Sequence, residues 1–285
     1  MVSRRQRRTA VAWAQAAYQV SQRRACRALA VERTAVRYQP QRDAATALRR
    51  RLHELATTQL TFGSRRLHRL LRRDGIEINY KRVHRLYVEE GLQLKPRRRR
   101  RRKAATVRET RSVPTQPNQR WAMDFMHDVL KNGRAIRVFT LVDVCTRECV
   151  ALHAAAGFTG SDVAEFLSAA GRQRGKLPEI VQCDNGTEFT STALDHWAYW
   201  NQVRLDFSRP GKPVDNCICE AFNGSLRREC LSMHWFVDLT EAQQVLTAWQ
   251  EDDNNHRPHS SLQQQAPSEF KKAGSFHPRS LRARI

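Results

Sequence analysis

The sequence predicts an α/β fold, a mixed sheet flanked by helices, preceded by a basic all-α region. Three observations predict it. Charge is segregated: residues 1–115 hold 31 basic and 8 acidic side chains, residues 116–285 hold 19 and 20. The front stretch reads as short amphipathic helices. The back stretch alternates apolar β-type runs with helices, the pattern of a layered α/β core. A cationic front before a nearly neutral back points to a polyanion-binding module joined to something with another task.

Residues 11–37 are rich in Ala and Arg with a helical pattern, which Tyr38-Gln39-Pro40 breaks. Residues 46–55 read as a second helix. After Thr61-Phe62-Gly63-Ser64, residues 65–73 place Leu67, Leu70 and Leu71 at i, i+3 and i+4, with arginines opposite. Asp74-Gly75 ends that helix, and residues 76–80 form a short extended connection. Asn79 is placed to cap a helix over 81–90, whose apolar face is Val83, Leu86 and Tyr87 and which stops at Gly91. Its cations are Lys81, Arg82, His84 and Arg85. Two such helices fit a helix-turn-helix; an ordinary helical bundle with a solvated basic face fits the pattern as well.

Lys95-Pro96 opens the run Arg97, Arg98, Arg99, Arg100, Arg101 and Arg102, followed by Lys103. Like charges packed so densely repel, so the run reads as an extended linker that neutralises phosphates, with a solubilising or targeting tract as the alternative. Pro114 and Pro117 mark its end. Strands are then expected over 134–144 and 148–152, a helix over 161–172, a short buried strand over 179–183, a helix over 194–200 and a strand over 203–207. Two prolines and a glycine make 208–214 a loop, after which Asp215 is the expected N-cap of a helix carrying Glu220. The expected division is a leader (1–45), a helix-turn-helix-like region (46–94), the Arg-rich linker (95–117), a catalytic core with its extension (118–272) and a tail (273–285).

The seven cysteines are an odd number without a framework, as expected of reduced thiols in a cytoplasm. No apolar run is long enough to span a bilayer.

Three acids stand in distinctive settings: Asp124 in Trp121-Ala122-Met123-Asp124-Phe125, Asp184 in Cys183-Asp184-Asn185-Gly186-Thr187-Glu188-Phe189, and Glu220 in Cys219-Glu220-Ala221-Phe222-Asn223. Three converging carboxylates make an oxygen-only site that suits Mg²⁺ or Mn²⁺ rather than zinc. Two such ions serve the cutting and joining of phosphodiesters. On the Glu220 helix, Asn216, Asn223 and Arg227 lie at −4, +3 and +7, so one face can hold metal and grip phosphate; a solvated polar stripe is the bland reading. Asp143 and Glu188 read equally as supports of the site or as surface acids. Cys217 and Cys219 read as helix-packing thiols, His256-Arg257-Pro258-His259 as a loop, and Trp121, Trp197, Trp200, Trp235 and Trp249 as core.

The order of these motifs resembles a known family. Trp121-x-x-Asp124-Phe125, Val142-Asp143-x-x-Thr146-Arg147, Asp184-Asn185-Gly186-x-Glu188-Phe189, Ser208-Arg209-Pro210-Gly211-Lys212-Pro213-x-Asp215-Asn216, Glu220-x-Phe222-Asn223 and Arg228-Glu229-Cys230-Leu231 resemble the retroviral-integrase-like transposases. More closely, they are similar to the OrfB product of two-frame bacterial insertion sequences of the IS-three type. Arg257-Pro258-His259-Ser260-Ser261-Leu262 and the 65–92 helices also fit that family. The resemblance implies an RNase-H-like core, an Asp124–Asp184–Glu220 triad, two Mg²⁺ or Mn²⁺ ions per site, nicking at element ends and strand transfer. It implies double-stranded DNA as partner, both terminal inverted repeats and target, contacted by Lys81, Arg82, Arg85, Arg97 to Arg102, Lys212, Asn223 and Arg227. A homo-oligomer on DNA, an upstream OrfA segment, by the family pattern as a fusion, and a cytoplasmic, nucleoid-associated setting are further implications. Cys183, Ala221, Thr61-Phe62-Gly63-Ser64 and Asp253-Asn254-Asn255 depart from the family pattern. A catalytically inactive or regulatory DNA-binding remnant is therefore the alternative.

Overall fold

The computed structural model describes residues 4–37, 45–94, 114–209 and 216–274. The chain divides into two compact units, Met1–Arg50 and Arg51–Ile285. In the first, α1 (Arg4–Tyr18), α2 (Gln22–Ala28) and α3 (Arg33–Arg37) enclose Val11, Ala14, Ala25 and Cys26. The expected single helical pattern over 11–37 is thus interrupted twice, at Gln19 and Ala30, both of which take positive φ. Ser21 caps α2 by accepting from the Arg24 amide. Helix α4 (Thr46–Thr58) crosses the division.

In the second unit α5 (Ser64–Arg73) packs on α6 (Tyr80–Glu89). The side chain of Asn79 accepts from the Lys81 amide at 2.8 Å, the cap its position calls for. Gly75 and Gly91 end the two helices in the left-handed region, at φ of 79° and 69°. Leu52, Leu67, Leu71, Val83, Leu86 and Tyr87 are buried.

The five-stranded sheet runs β3 (Cys149–Ala155), β2 (Ala135–Asp143), β1 (Arg120–Val129), β4 (Ile180–Cys183), β5 (Arg204–Phe207). The first three strands are antiparallel, and β4 and β5 join β1 in parallel. The two faces of β1 differ. Trp121 and Met123 pack with Phe139, Leu141 and Val181 under α7 (Gly160–Arg174) and α8 (Thr192–Trp200). Ala122 and Met126 face the other way, toward α9 (Cys217–Glu229) and α10 (Leu239–Asn255), where Phe222, Leu226, Ala242 and Leu246 meet Ile136, Val138 and Leu152. Helix α11 (Pro267–Ala273) follows, with Pro at its first position.

Several expectations need correction. Strand β1 and helices α10 and α11 were not expected as elements. Trp200 and Trp235 are 80% and 84% exposed rather than core, and Cys217 is exposed while Cys219 packs inside. Asn216, not Asp215, sits at the N-cap position of α9 and makes no side-chain cap; Asp215 lies outside the described residues. Asp143 is no surface acid. It is buried and accepts from the amides of Asn118, Cys145 and Thr146 at 2.6, 2.8 and 2.9 Å, which fixes the turn after β2. Among the described residues no helix is long and apolar enough to cross a membrane.

Helix α7 opens with a capping box: Thr159 accepts from the Asp162 amide, and Asp162 accepts from the Thr159 amide at 2.6 Å. Thr159→Ala should cost about 1 kcal/mol. A lower urea midpoint at unchanged slope checks this; an unchanged midpoint would show that packing alone holds the helix.

Candidate active site

Strand register places two of the acids. Ala122 pairs with Gln182 across parallel β1 and β4, so Asp124, two residues further along β1, and Asp184, the first residue past the end of β4, lie toward the same end of the parallel pair. Asp124 shares the face of Ala122 and Met126, the side covered by α9. Helix α9 turns Phe222 and Leu226 into the core and carries Glu220, Asn223 and Arg227 on an adjoining stripe.

Asp124 is half-buried and held at both oxygens. Asn223 Nδ2 donates to Oδ2 and the Phe125 amide to Oδ1, both at 2.8 Å. Burial raises its pKa to about 6; the charges of Asp184 and Glu220 push the same way, against the amide and Asn223 hydrogen bonds. Asp124 therefore feels the charges of both other acids. Among the described residues, however, no group of three His, Cys, Asp or Glu is gathered tightly enough to clasp an ion.

Asp184 begins a tight turn, accepting from the Gly186 amide at 2.9 Å. A Cβ at Gly186 would come within 3.1 Å of the Asp184 carboxylate, so glycine leaves that oxygen its space. Asn185 ties the turn to β5's exit through the Ser208 carbonyl at 2.9 Å. Glu188 pairs with Arg137 of β2, whose guanidinium lies 4.2 Å from the Phe125 ring centre. Phe125 in turn stacks on Phe189, centroids 4.8 Å apart. Arg137 thus fastens the Asp184 turn to the strand bearing Asp124, and it holds Glu188 below the usual carboxylate range. Arg137 escaped the sequence reading because nothing in its motif sets it apart from an exposed strand arginine.

The remaining expected contacts divide. Arg227 donates to Asp128 at 3.1 Å and to the His127 carbonyl, so it braces α9 against β1. Asn223 likewise faces Asp124. Lys81, Arg82 and Arg85 are exposed on α6, Arg85 beside Glu89 at 3.5 Å. Arg97 to Arg102 and Lys212 lie outside the described residues.

The donor set fits a hard divalent cation in its chemistry. It consists of carboxylate oxygens, and among the described residues the buried amide oxygens of Asn216 and Asn223 have no hydrogen-bond partner.

Beneath the far end of α9 lies a feature the sequence did not announce. Arg257, 4% exposed, binds Glu229 through two hydrogen bonds of 2.5 and 2.8 Å and Ser225 at 3.0 Å. Asp253 and His259 complete the cluster, 3.3 Å apart, with Asp253 3.4 Å from Arg257. The segment expected as a plain loop is an anchor.

Comparison with known proteins agrees with this architecture. Residues 114–213 and 201–267 match the Integrase core domain, and residues 40–100 match the HTH-like domain. The chain is 45% identical over 252 residues to the uncharacterized 31.7 kDa protein of insertion element IS407 from Burkholderia multivorans, covering 88% of this chain and 90% of that one. It is 40% identical to the 39.2 kDa protein of IS476 from Xanthomonas euvesicatoria, covering 88% and 72%. It is 28% identical to the transposase of IS904 from Lactococcus lactis, covering 75% and 88%. A simian T-cell lymphotropic virus intasome chain shares the fold at a TM-score of 0.51 and 16% identity, covering 78% of this chain and 74% of that one. An integrase core behind a helix-turn-helix-like region, in a chain this close to insertion-element proteins, places the protein in the OrfB-type family of insertion-sequence transposases.

Proposed function

We propose that Asp124, Asp184 and Glu220 are the catalytic triad of a strand-nicking and strand-transfer site, and that they hold two divalent ions, Mg²⁺ or Mn²⁺. Asp124 on β1 and Asp184 just past the end of the adjacent parallel β4, with the charges of Asp184 and Glu220 both felt at Asp124, support this reading. Bound ions would supply charge stabilisation and an activated oxygen for hydrolytic nicking at an element end, then for attack of the freed 3′-hydroxyl on a second phosphodiester. The chain's own groups orient the site. Asn223 fixes the Asp124 carboxylate, Arg137 and Glu188 fix the Asp184 turn, and Arg227 braces the helix of Glu220.

Residues 46–94 act as a DNA-reading module, joined through 95–117 to a core spanning 118–272, with 1–45 as a basic leader and 273–285 as a tail. Double-stranded DNA is gripped mainly from the front half, where Lys81, Arg82, Arg85 and the Arg97 to Arg102 run neutralise phosphates. An upstream OrfA segment and a homo-oligomer on terminal-repeat DNA complete the machinery in a bacterial cytoplasm, at the nucleoid.

The deciding experiment is nicking and joining of terminal-repeat DNA with and without Mg²⁺ or Mn²⁺, the upstream segment supplied. Metal-independent cleavage would sink the triad assignment. Binding should also fall steeply with salt, about a thousandfold between 50 and 200 mM for six phosphate contacts. Lys81→Ala and Arg82→Ala should each lower the salt slope by about one, uniformly across sequences. An affinity indifferent to salt would rule the electrostatic reading out.

A further inference from the structure

Helix α5 carries five arginines on two faces. Arg65 and Arg72, one heptad apart, are exposed. Arg66, Arg69 and Arg73, at i, i+3 and i+7, form a separate stripe. That second stripe is engaged by protein. Arg66 reaches Glu229 on α9 at 3.5 Å, across 163 residues of sequence. Arg73 and Arg69 reach Glu269 on α11 at 2.6 and 3.8 Å, and Arg73 also donates to the His256 carbonyl. Glu229, the acid met by Arg66, is the one clamped by Arg257, so the stripe ends on the buried cluster beneath the helix of Glu220.

We propose that Arg66, Arg69 and Arg73 form a docking surface that seats the helix-turn-helix-like module on the catalytic core and positions α9, and that they do not contact DNA. A guanidinium already held by a carboxylate releases no counterion from phosphate, so α5 offers DNA only Arg65 and Arg72. Arg66 acts on Glu220 through α9, while Arg69 and Arg73 seat α11. They are positioning residues. Two glutamates facing three arginines supply the charge complementarity, and the distant sequence separation makes the contact one between modules rather than within a helix.

The test uses the full chain and the half-exposed Arg73–Glu269 pair, where substitution spares the cluster below. Arg73→Ala should leave the salt slope of duplex binding unchanged, whereas Arg72→Ala should lower it by about one. Arg73→Glu, setting like charges face to face, should speed amide exchange in α11 and the C-terminal half of α9 by about tenfold. The double change Arg73→Glu with Glu269→Arg should restore slow exchange beyond the first turn of α11, where the Ala266 amide loses the Glu269 acceptor at 2.9 Å. Where the proposed nicking activity is present, it should fall with Arg73→Glu and return with the double change. Only that last arm rests on the proposed function, so exchange and salt slope judge the docking even if no nicking is found. A lower salt slope in Arg73→Ala, or fast exchange persisting in the double variant, would overturn the proposal.

Discussion

Glu220→Gln should abolish cutting and joining while leaving duplex affinity within about twofold. Glutamine keeps the shape of an exposed side chain, so α9, whose packing rests on Phe222, Leu226 and Cys230, is undisturbed. It removes one negative charge from a three-carboxylate set. Phosphoryl transfer relies on the cation charge such a set retains, so the loss should be roughly a thousandfold or more in rate. On the proposed function, ground-state contacts come from the arginines of the front half and should survive. Arg227→Ala should be milder, because it loosens α9 against Asp128 without changing the triad's charge. The measurement is end nicking and strand transfer with Mg²⁺ or Mn²⁺ beside a binding titration. Near wild-type transfer by Glu220→Gln would show that Glu220 holds no metal.

The largest effect on stability is expected at Arg257. Its guanidinium is buried against Glu229, Ser225 and Asp253, the last only 1% exposed. Arg257→Ala strands two buried carboxylates, and breaking a buried pair from one side costs about 3–5 kcal/mol. The pH dependence follows from Glu229. Burial alone would raise its pKa, but Arg257 and Arg66 hold it below the ordinary glutamate value of 4.5. A depressed pKa adds stability that is present above 4.5 and lost as the pH falls through the folded value. The gap between wild type and variant should therefore be widest near neutrality and narrow in acid. Urea midpoints across pH 3–7 test it; a gap under about 1 kcal/mol at neutral pH would mean that solvent reaches the cluster.

What the sequence disclosed depended on whether its signal was local. Helices α5 and α6 were legible because Asn79, Gly75 and Gly91 punctuate them and their leucines recur at helical spacing. The proposed triad rests on flanking motifs, which are likewise local in sequence. Strand β1 was not legible, because both its faces are covered: Trp121 and Met123 pack one way, Ala122 and Met126 the other, and no polar alternation remains. Its four polar residues, Arg120, Asp124, His127 and Asp128, further blur the strand pattern. Trp200 and Trp235 show the converse, large aromatics that composition assigns to a core and topology leaves outside. Arg257 looked like part of a loop because its acid lies 28 residues upstream on another helix. Arg227 and Asn223 were placed on the correct stripe, yet that stripe faces β1, which periodicity alone cannot tell.

The anchor on α9 also sets an order of events during synthesis. The basic helices are made before the strands bearing Asp124 and Asp184. Glu220 comes later, and its helix is pinned by Arg257 and, through α5, by Glu269 only when the last helices have emerged. Contacts bridging such distances form late. A nascent chain can thus cling to nucleic acid well before its third carboxylate is held in place. On the proposed function, binding would come before cutting as the chain is made.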